Sequence, residues 1–274
     1  MTDSGVDDPF RARRAADRAF LGLELAAPDR GAFTLTRALA RHDGKLYGGT
    51  AVAAAVALAE EASGRPLLWT TVQFVSGDAG VGDRIDVAAE VLAAGRRTAQ
   101  VRVTARRDDQ LLFTALGANG QAKEGAPPGT FATMPDVAAP EDCEPFRLPI
   151  PAHLAAKLDQ RRHMEIRTAG RDRATGELRF WSRVRDRRVT PALLGYLADM
   201  VPVAIVQASG HSGGGISIDN TLRMGHAADT EWVLLQLVPH LATGGYGTGA
   251  ALLWSPDGTL MGVASQTAAL IVLD

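Results

Sequence analysis

The sequence is short of the features that mark secreted and nucleic-acid-binding proteins. Its 274 residues include one cysteine, Cys143, so no internal disulfide can form, and a single thiol in a chain of this size is typical of a reducing compartment. Lys plus Arg number 29 and Asp plus Glu 31, for a formal net charge of -2, which leaves no basic excess to coat nucleic acid or an anionic membrane. We therefore expect no nucleic-acid partner.

Long apolar runs and metal-binding spacings are also missing. Residues 1 to 14 are polar and lack the apolar core of an export signal, and no run approaches the roughly 18 apolar residues of a membrane span. The six histidines and the cysteine show no His-x-x-x-His or Cys-x-x-Cys spacing. These absences predict a cytoplasmic protein with no membrane span and no metal site.

What the sequence does contain is a repeat. A shift of 149 residues, which brings Tyr47 onto Tyr196, lays segments of the same character over one another. Each half then offers an apolar helix followed by β-rich stretches, so two copies of one structural unit are predicted. The matched segments are Tyr47–Thr50 with Tyr196–Asp199, Ala51–Ala59 with Met200–Ala208, and Leu68–Phe74 with Ser217–Arg223.

The order of the predicted elements indicates an α+β fold. In each half a strand, an apolar helix and a run of antiparallel strands follow one another, as expected when a curved sheet wraps a buried helix. We expect the first helix over about 49 to 62 and the second, unbroken, over Pro191–Ala208. The predicted divisions are a lead-in at 1–30, a first repeat at 31–122, a proline-rich linker at 123–162 and a second repeat at 163–274.

Asp199 is the candidate functional residue that the sequence singles out. It is the only carboxylate in the apolar run Ala192–Ala208, where a charge is costly unless it is paired or hydrogen-bonded. A place on the solvent side of the helix is the alternative. The repeat favours function, because Asp199, Ser217 and Gln266 fall on Thr50, Leu68 and Gly117 and are thus replaced together in the first half.

Four short motifs then connect the chain with a known family. They are Leu46–Thr50 before the first helix, Leu197–Asp199 in the second helix, Ser217–Asn220 in a strand and Val263–Gln266 in the closing strand. In these motifs the chain resembles the type II acyl-CoA thioesterases. The resemblance implies a double-hotdog fold, in which two tandem repeats each wrap a curved antiparallel sheet around a central helix.

The resemblance also implies a reaction and its residues. Asp199, Ser217 and Gln266 match the family's catalytic Asp, Thr and Gln, which activate water for thioester hydrolysis. The expected substrate is acyl-CoA, no cofactor or metal is needed, and we expect a homo-oligomer, a dimer or larger. The expected substrate-binding residues are Gly48, Gly49 and Thr50, whose backbone N–H groups would polarise the thioester carbonyl, and Tyr196, which would shape the acyl tunnel.

Two other functions stay open at this point. The chain could be a non-catalytic acyl-CoA or acyl-chain binding protein on the same fold, or a hotdog hydratase or dehydratase, which would need a histidine paired with the carboxylate. Asn220 stands where the family has a histidine, and Ser217 replaces its usual threonine. The basic strand Arg96–Arg107 is either a contact for coenzyme A phosphates or a solvated strand face.

Overall fold

The first half of the chain forms two helices and a run of antiparallel strands. The computed structural model of the protein describes residues 8–147 and 163–273. The helix expected over about 49 to 62 is confirmed with slightly wider bounds. The elements are α1 (Pro9–Leu21), β1 (Glu24–Ala27), β2 (Arg30–Thr34), α2 (Gly48–Ser63), β3 (Leu67–Phe74), β4 (Arg84–Ala94), β5 (Thr98–Arg107) and β6 (Gln110–Gly120).

The second half repeats this plan, except that its central helix is divided in two. The elements are β7 (Met164–Arg171), β8 (Leu178–Val184), α3 (Pro191–Leu197), α4 (Val201–Ala208), β9 (Gly213–Met224), β10 (Val233–Thr243), β11 (Tyr246–Trp254) and β12 (Leu260–Val272).

All of these strands belong to one antiparallel sheet whose two halves have matching strand orders. The order is β1-β2-β4-β5-β6-β3 in the first half and continues as β9-β12-β11-β10-β8-β7 in the second. β3 and β9 pair at the centre, where Thr71 lies opposite Thr221 and their hydroxyl oxygens are 2.9 Å apart. The double-hotdog architecture is therefore confirmed.

Equivalent positions of β3 and β9 are one residue further apart in the chain than the repeat in the sequence indicates. Each strand carries a bulge, at Leu68 in β3 and at Ile218 in β9. Since the bulge residues correspond, the counterpart of Ser217 is Leu67 rather than Leu68. Thr70, which pairs with Gly117, then corresponds to Asn220, which pairs with Gln266.

Helix α2 lies in the core because its sequence is apolar on all sides. Residues Gly49–Glu60 are all buried, and six of the positions from Ala51 to Ala59 are alanine. Such small side chains let a helix approach the strands that wrap it. α2 packs on β3, β4 and β5 on one side and on α3 on the other, so its N-terminus meets the second half of the chain.

The prediction of one unbroken helix over Pro191–Ala208 is wrong. α3 ends at Leu197, α4 starts at Val201, and Asp199 lies in the break between them. Pro202 is the physical cause, because it has no N–H to donate to the Ala198 carbonyl and its ring crowds that carbonyl. The Ala198 carbonyl accepts instead from the N–H of Met200, at 2.9 Å.

This broken helix also corrects the expectation that no run approaches the length of a membrane span. In the part of the chain that the structure describes, Pro191–Ala208 has the length and the apolar composition of a span, with a mean hydropathy of 1.4. However, 78% of it is buried inside the protein. Length and composition of this kind are also typical of a core helix.

The lead-in is helical and packs on α2. Arg13 and Glu60 form a salt bridge of 2.8 Å, and Arg14 and Arg18 both pair with Glu61. The one acidic residue of α1, Asp17, is 1% exposed and accepts a hydrogen bond from the Thr190 hydroxyl, which precedes α3. Burial raises the pKa of Asp17 to about 7. α1 is thus tied to both central helices.

The described part of the expected linker, 123–147, has no strand; residues 123–131 are exposed, and the stretch that follows packs on the protein. Cys143 and the side chains of Trp181 and Trp254 share a small hydrophobic cluster, and the Trp181 Nε1–H donates to the Ala138 carbonyl at 2.9 Å. The segment therefore rests on the second half of the sheet. The rest of the linker, 148–162, lies outside the described residues, and the domain boundaries stay a prediction.

Candidate active site

Asp199 leaves the helical path at the break and turns toward the N-terminus of α2. Its side chain is buried, at 9% exposure, and its Oδ2 accepts a hydrogen bond of 2.9 Å from the backbone N–H of Gly49. The positive end of the α2 dipole favours a carboxylate at this place. The solvent-side alternative for Asp199 is thus excluded by its position.

Ser217 and Gln266 meet the same carboxylate from two neighbouring strands. The Ser217 hydroxyl donates to Asp199 Oδ1 at 3.2 Å, and Gln266 Nε2 donates both to that oxygen and to the Ser217 oxygen, at 2.6 Å. The structure therefore brings together the three residues expected to be catalytic. Each arrives from a different element: the helix break, β9 and β12.

The bulge in β9 explains why Ser217 faces inward. Successive side chains of a strand alternate between the two faces of the sheet, so Ser217 would lie on the face opposite Asn220 in a regular strand. The extra residue at Ile218 reverses the alternation at that point. A bulge of this kind commonly re-aims a side chain beside a functional site.

Asn220 is a site residue that the sequence reasoning missed. It is 1% exposed, lies directly across from Gln266 in the β9–β12 ladder, and donates from Nδ2 to Asp199 Oδ1 at 3.2 Å. From the sequence it stood out only as a departure from the family's histidine. Its place in β9, between β3 on one side and Gln266 of β12 on the other, could have been read only from the correct register.

The two oxygens of the Asp199 carboxylate are held differently. Oδ1 accepts from Ser217, Asn220 and Gln266, whereas the donor described for Oδ2 is the Gly49 N–H. A carboxylate oxygen offers roughly two lone-pair sites, so these three donors crowd Oδ1. All four donors are uncharged, and they orient the carboxylate without neutralising it.

Glycine is required at 48 and 49 because atoms of the second repeat lie very close to both residues. A Cβ on Gly48 would lie 2.5 Å from Oδ2 of Asp199, and a Cβ on Gly49 would lie 2.2 Å from the backbone oxygen of Tyr196. Real Cβ atoms do not come this near to other heavy atoms. The pair therefore serves a contact between the two repeats and is more than a tight turn.

The backbone N–H groups at this turn differ in their use. Gly49 donates to Asp199, and Thr50 donates to the carbonyl of Tyr47 at 3.0 Å. The N–H of Gly48 has no hydrogen-bond partner within residues 8–147 and 163–273. Two of the three N–H groups thus already have acceptors, and the roles of Gly48, Gly49 and Thr50 in binding a carbonyl stay predictions.

The side chains of Thr50 and Tyr196 lie in the core. The Thr50 hydroxyl donates to the Leu39 carbonyl at 2.7 Å, and the Tyr196 hydroxyl donates to the Ala38 carbonyl at 2.9 Å and lies 2.8 Å from His163 Nε2. Both brace the segment that precedes α2. Their substrate-binding roles stay predictions.

Tyr47 is a second contact that the sequence did not reveal. Its hydroxyl donates to the backbone carbonyl of Asp199 at 3.2 Å, and its ring packs edge-on against that of Tyr196, with the centroids 5.1 Å apart. The Asp199 backbone and side chain are thus both fixed by the turn that begins α2.

Two buried acceptors at the site have no partner among the described residues. They are Oδ1 of Asn220 and Oε1 of Gln266. A buried polar atom without a hydrogen bond costs about 1–3 kcal/mol, so such atoms indicate a place where a water or a ligand binds. Both belong to side chains that donate to Asp199.

The corresponding place in the first half lacks these groups. Its counterparts are Thr50 for Asp199, Gly117 for Gln266, Thr70 for Asn220 and Leu67 for Ser217. No carboxylate or amide occurs among these four. The fold therefore has two symmetric places for a site, and the carboxylate and amide groups occur at the one in the second half.

The basic strand and the other charged residues near the site make ordinary contacts. In the basic strand, Arg102 pairs with Glu90 and Arg106 donates to the Asp109 carbonyl at 2.7 Å. Asp219 accepts from the Thr267 N–H at 2.7 Å. Within the described residues, no three His, Cys, Asp or Glu side chains gather as metal ligands would.

Two family models match the chain over most of its length. The model of the acyl-CoA thioesterase N-terminal domain matches residues 37–120, and that of the acyl-CoA thioesterase C-terminal domain matches residues 133–270. No curated protein sequence matches the chain significantly.

Solved structures agree with this assignment. A candidate thioesterase from Novosphingobium aromaticivorans is 31% identical, with 91% of this chain and 98% of that one covered and a TM-score of 0.82. Two others show the shared fold. The TesB protein of Mycobacterium avium subspecies paratuberculosis is 22% identical (94% and 99% covered, TM-score 0.73), and the acyl-CoA thioesterase II TesB2 of Mycobacterium marinum is 17% identical (93% and 98% covered, TM-score 0.71).

The family resemblance read from the four motifs is thereby confirmed. The matched models divide between the two halves that share the sheet, and the strand order is that of a double hotdog. The chain belongs to the acyl-CoA thioesterase family and is a thioester hydrolase.

Proposed function

We propose that the protein hydrolyses acyl-CoA thioesters to a free acid and coenzyme A with a water molecule that Asp199 activates. The observation that carries this proposal is the convergence of Ser217 and Gln266 on one buried carboxylate. Burial and hydrogen bonding of this kind are typical of a positioned general base.

In the proposed reaction the water gives one proton to Asp199 while its oxygen attacks the thioester carbonyl carbon. The new C–O bond produces a tetrahedral oxyanion. When the C–S bond breaks, its electron pair leaves with sulfur, and the thiolate takes the proton from Asp199. One water is consumed, and one acid and one thiol are released.

Ser217 and Gln266 have supporting roles in this scheme. The Gln266 amide uses its N–H groups on Asp199 and Ser217, so its Oε1 remains as an acceptor for the second proton of the water. The N–H of Gly48, at the start of α2, is the donor best suited to the oxyanion. A single oxyanion donor is worth about 10²–10³ in kcat.

We also propose that the protein is cytoplasmic and forms a homo-oligomer. The single cysteine supports the first proposal. Exposed apolar side chains on the central strands support the second, since a cluster of them commonly marks a contact between proteins. They are Leu68, Leu116, Ile216 and Ile218, each 40–49% exposed.

The test of hydrolysis is free-thiol release from acetyl-, octanoyl- and palmitoyl-CoA by the native protein and the Asp199→Asn variant. We expect the variant to lose about 10²–10⁴ in kcat, the usual worth of a general base, while it still binds acyl-CoA. The only intrinsic thiol, Cys143, is buried and adds little background.

Asp219→Asn is the matched control. It makes the same chemical change on the strand that carries Ser217, but at a carboxylate whose partner is the Thr267 N–H. We expect native turnover from this variant. Native turnover from Asp199→Asn would refute the proposed base, and binding without turnover by the native protein would favour an acyl-CoA binding protein.

A further inference from the structure

We propose, on the basis of the hydrolysis scheme above, that Asn220 is a positioning residue for that reaction. Its amide holds Oδ1 of Asp199 so that Oδ2 is the oxygen that takes the proton from water. Its own Oδ1 is an acceptor that shares with Oε1 of Gln266 the hydrogen bond from the second O–H of the same water.

The position of Asn220 is set by the sheet. It pairs with Gln266 in β12 on one side and with Val72 in β3 on the other, so it lies in the central strands where the two repeats join. It is 1% exposed. A side chain held this firmly can fix the direction of its hydrogen bond to Asp199.

The hydrogen bonds of the carboxylate assign different tasks to its oxygens. Oδ1 accepts from three side-chain donors, and Asn220 is one of them, at 3.2 Å. Oδ2 accepts from the Gly49 N–H and faces the Cα of Gly48, where a Cβ would come within 2.5 Å. Glycine at 48 therefore lets Oδ2 lie against the N-terminus of α2, next to the residue whose N–H is the proposed oxyanion donor.

The amide of Asn220 suits this role because it is both donor and acceptor and does not titrate. Its Oδ1 is buried and has no partner within the described residues. An imidazole, as at this place in the family resemblance, would change its charge near pH 6.5. With an amide the donor to Asp199 stays the same at every working pH.

The first repeat provides a comparison inside the same chain. Thr70, the counterpart of Asn220, is 3% exposed and donates to the Leu116 carbonyl at 3.3 Å. It has no carboxylate to position. The amide thus occurs only in the repeat that carries Asp199.

The experiment compares kcat, KM and the pH profile of Asn220→Leu and Asn220→Ser with those of the native protein. For Asn220→Leu we expect a loss of about 10–100-fold in kcat, the usual range for a hydrogen bond to a charged group, with KM within about twofold of native. The ionised carboxylate loses a donor, so the acidic limb of the profile should move to higher pH by about one unit. Asn220→Ser keeps a polar group at the site and serves as the test if the leucine variant does not fold. We expect the serine variant to show the same shift of the acidic limb.

Thr70→Val is the matched control, because it removes a buried hydrogen bond from the corresponding position of β3. We expect it to keep the native kcat and pH profile. A merely structural role for Asn220 would lower the melting temperature and leave the acidic limb in place, and that result would overturn the proposal.

A double variant separates this proposal from the one it builds on. In an Asp199→Asn background, Asn220→Leu should cause less than a twofold further loss, because the two residues act as one unit. A full additional loss would overturn the positioning role. Native activity of Asp199→Asn alone would instead overturn the proposed base, so the two failures can be told apart.

Discussion

The buried carboxyl of Asp17 should make the protein less stable as the pH rises. Burial raises its pKa from the ordinary 3.8 to about 7, with a smaller opposing effect from the Thr190 hydrogen bond. Between these two values the unfolded chain has released the proton and the folded protein still holds it. Stability therefore falls across this window and becomes constant above about pH 7.

The size of the effect follows from the shift. One pKa unit corresponds to about 1.4 kcal/mol, so the change from 3.8 to about 7 amounts to about 4 kcal/mol at pH 8. About 3 kcal/mol of this is lost between pH 5 and pH 8. Asp17→Asn, which keeps the shape and an oxygen that can accept from Thr190, does not ionise and should not show this loss.

The assay is denaturant unfolding of the native protein and Asp17→Asn at pH 5 and pH 8. We compare the free energy of unfolding of the variant with that of the native protein. The difference, variant minus native, should be about 3 kcal/mol larger at pH 8 than at pH 5. The pKa of Glu60 is also raised by burial, and its charge adds to the raised pKa of Asp17, so Glu60→Gln in both proteins is the control that removes its titration. An equal pH dependence of the two free energies of unfolding would refute the reasoning.

Three further predictions concern the glycine pair and the packed linker. Gly49→Ala should lower the melting temperature sharply, because its Cβ would lie 2.2 Å from the backbone oxygen of Tyr196. Gly48→Ala meets only the Asp199 side chain and should cost at least about 10-fold in kcat with little change in melting temperature; equal effects of the two variants on stability would contradict this. Trp181→Phe removes a buried N–H donor. It should lower the free energy of unfolding, measured in urea, by about 1–3 kcal/mol without changing kcat.

Much of the fold could be predicted because the repeat and the strand periodicity are local properties of the sequence. The alternation of apolar and polar residues over Arg84–Leu92 predicts a strand, and the buried and exposed positions of β4 alternate at its start. That Asp199, Ser217 and Gln266 belong to one site was predicted too, since they are replaced together in the first half, whereas their convergence in space could be read only from the structure.

The helix break is a failure for which the signal was present. Pro202 stands inside the apolar run, and a proline there removes a hydrogen bond and crowds the preceding turn. The apolar composition of the run outweighed this single residue in the prediction. The break is what frees Asp199 to leave the helix.

The roles of Asn220 and Gly49 could not be predicted, for a different reason. Both depend on contacts between segments far apart in the chain, and the orientation of Ser217 and Asn220 depends on one extra residue at Ile218. A bulge is set by the pairing of two strands and leaves no periodic trace in either one. The shift of 149 residues also placed Ser217 on Leu68, one residue away from its structural counterpart Leu67.

The pairing of β3 with β9 has a consequence for how the protein can be divided. Cut between the repeats, each half would expose a long unpaired strand edge, and such edges recruit other strands. Since Thr71 and Thr221 lie opposite each other near the symmetry axis, a severed half could cover its edge with a second copy of itself. The glycine turn lies in the first half and the carboxylate in the second, so a dimer of either half with itself would lack one side of the site.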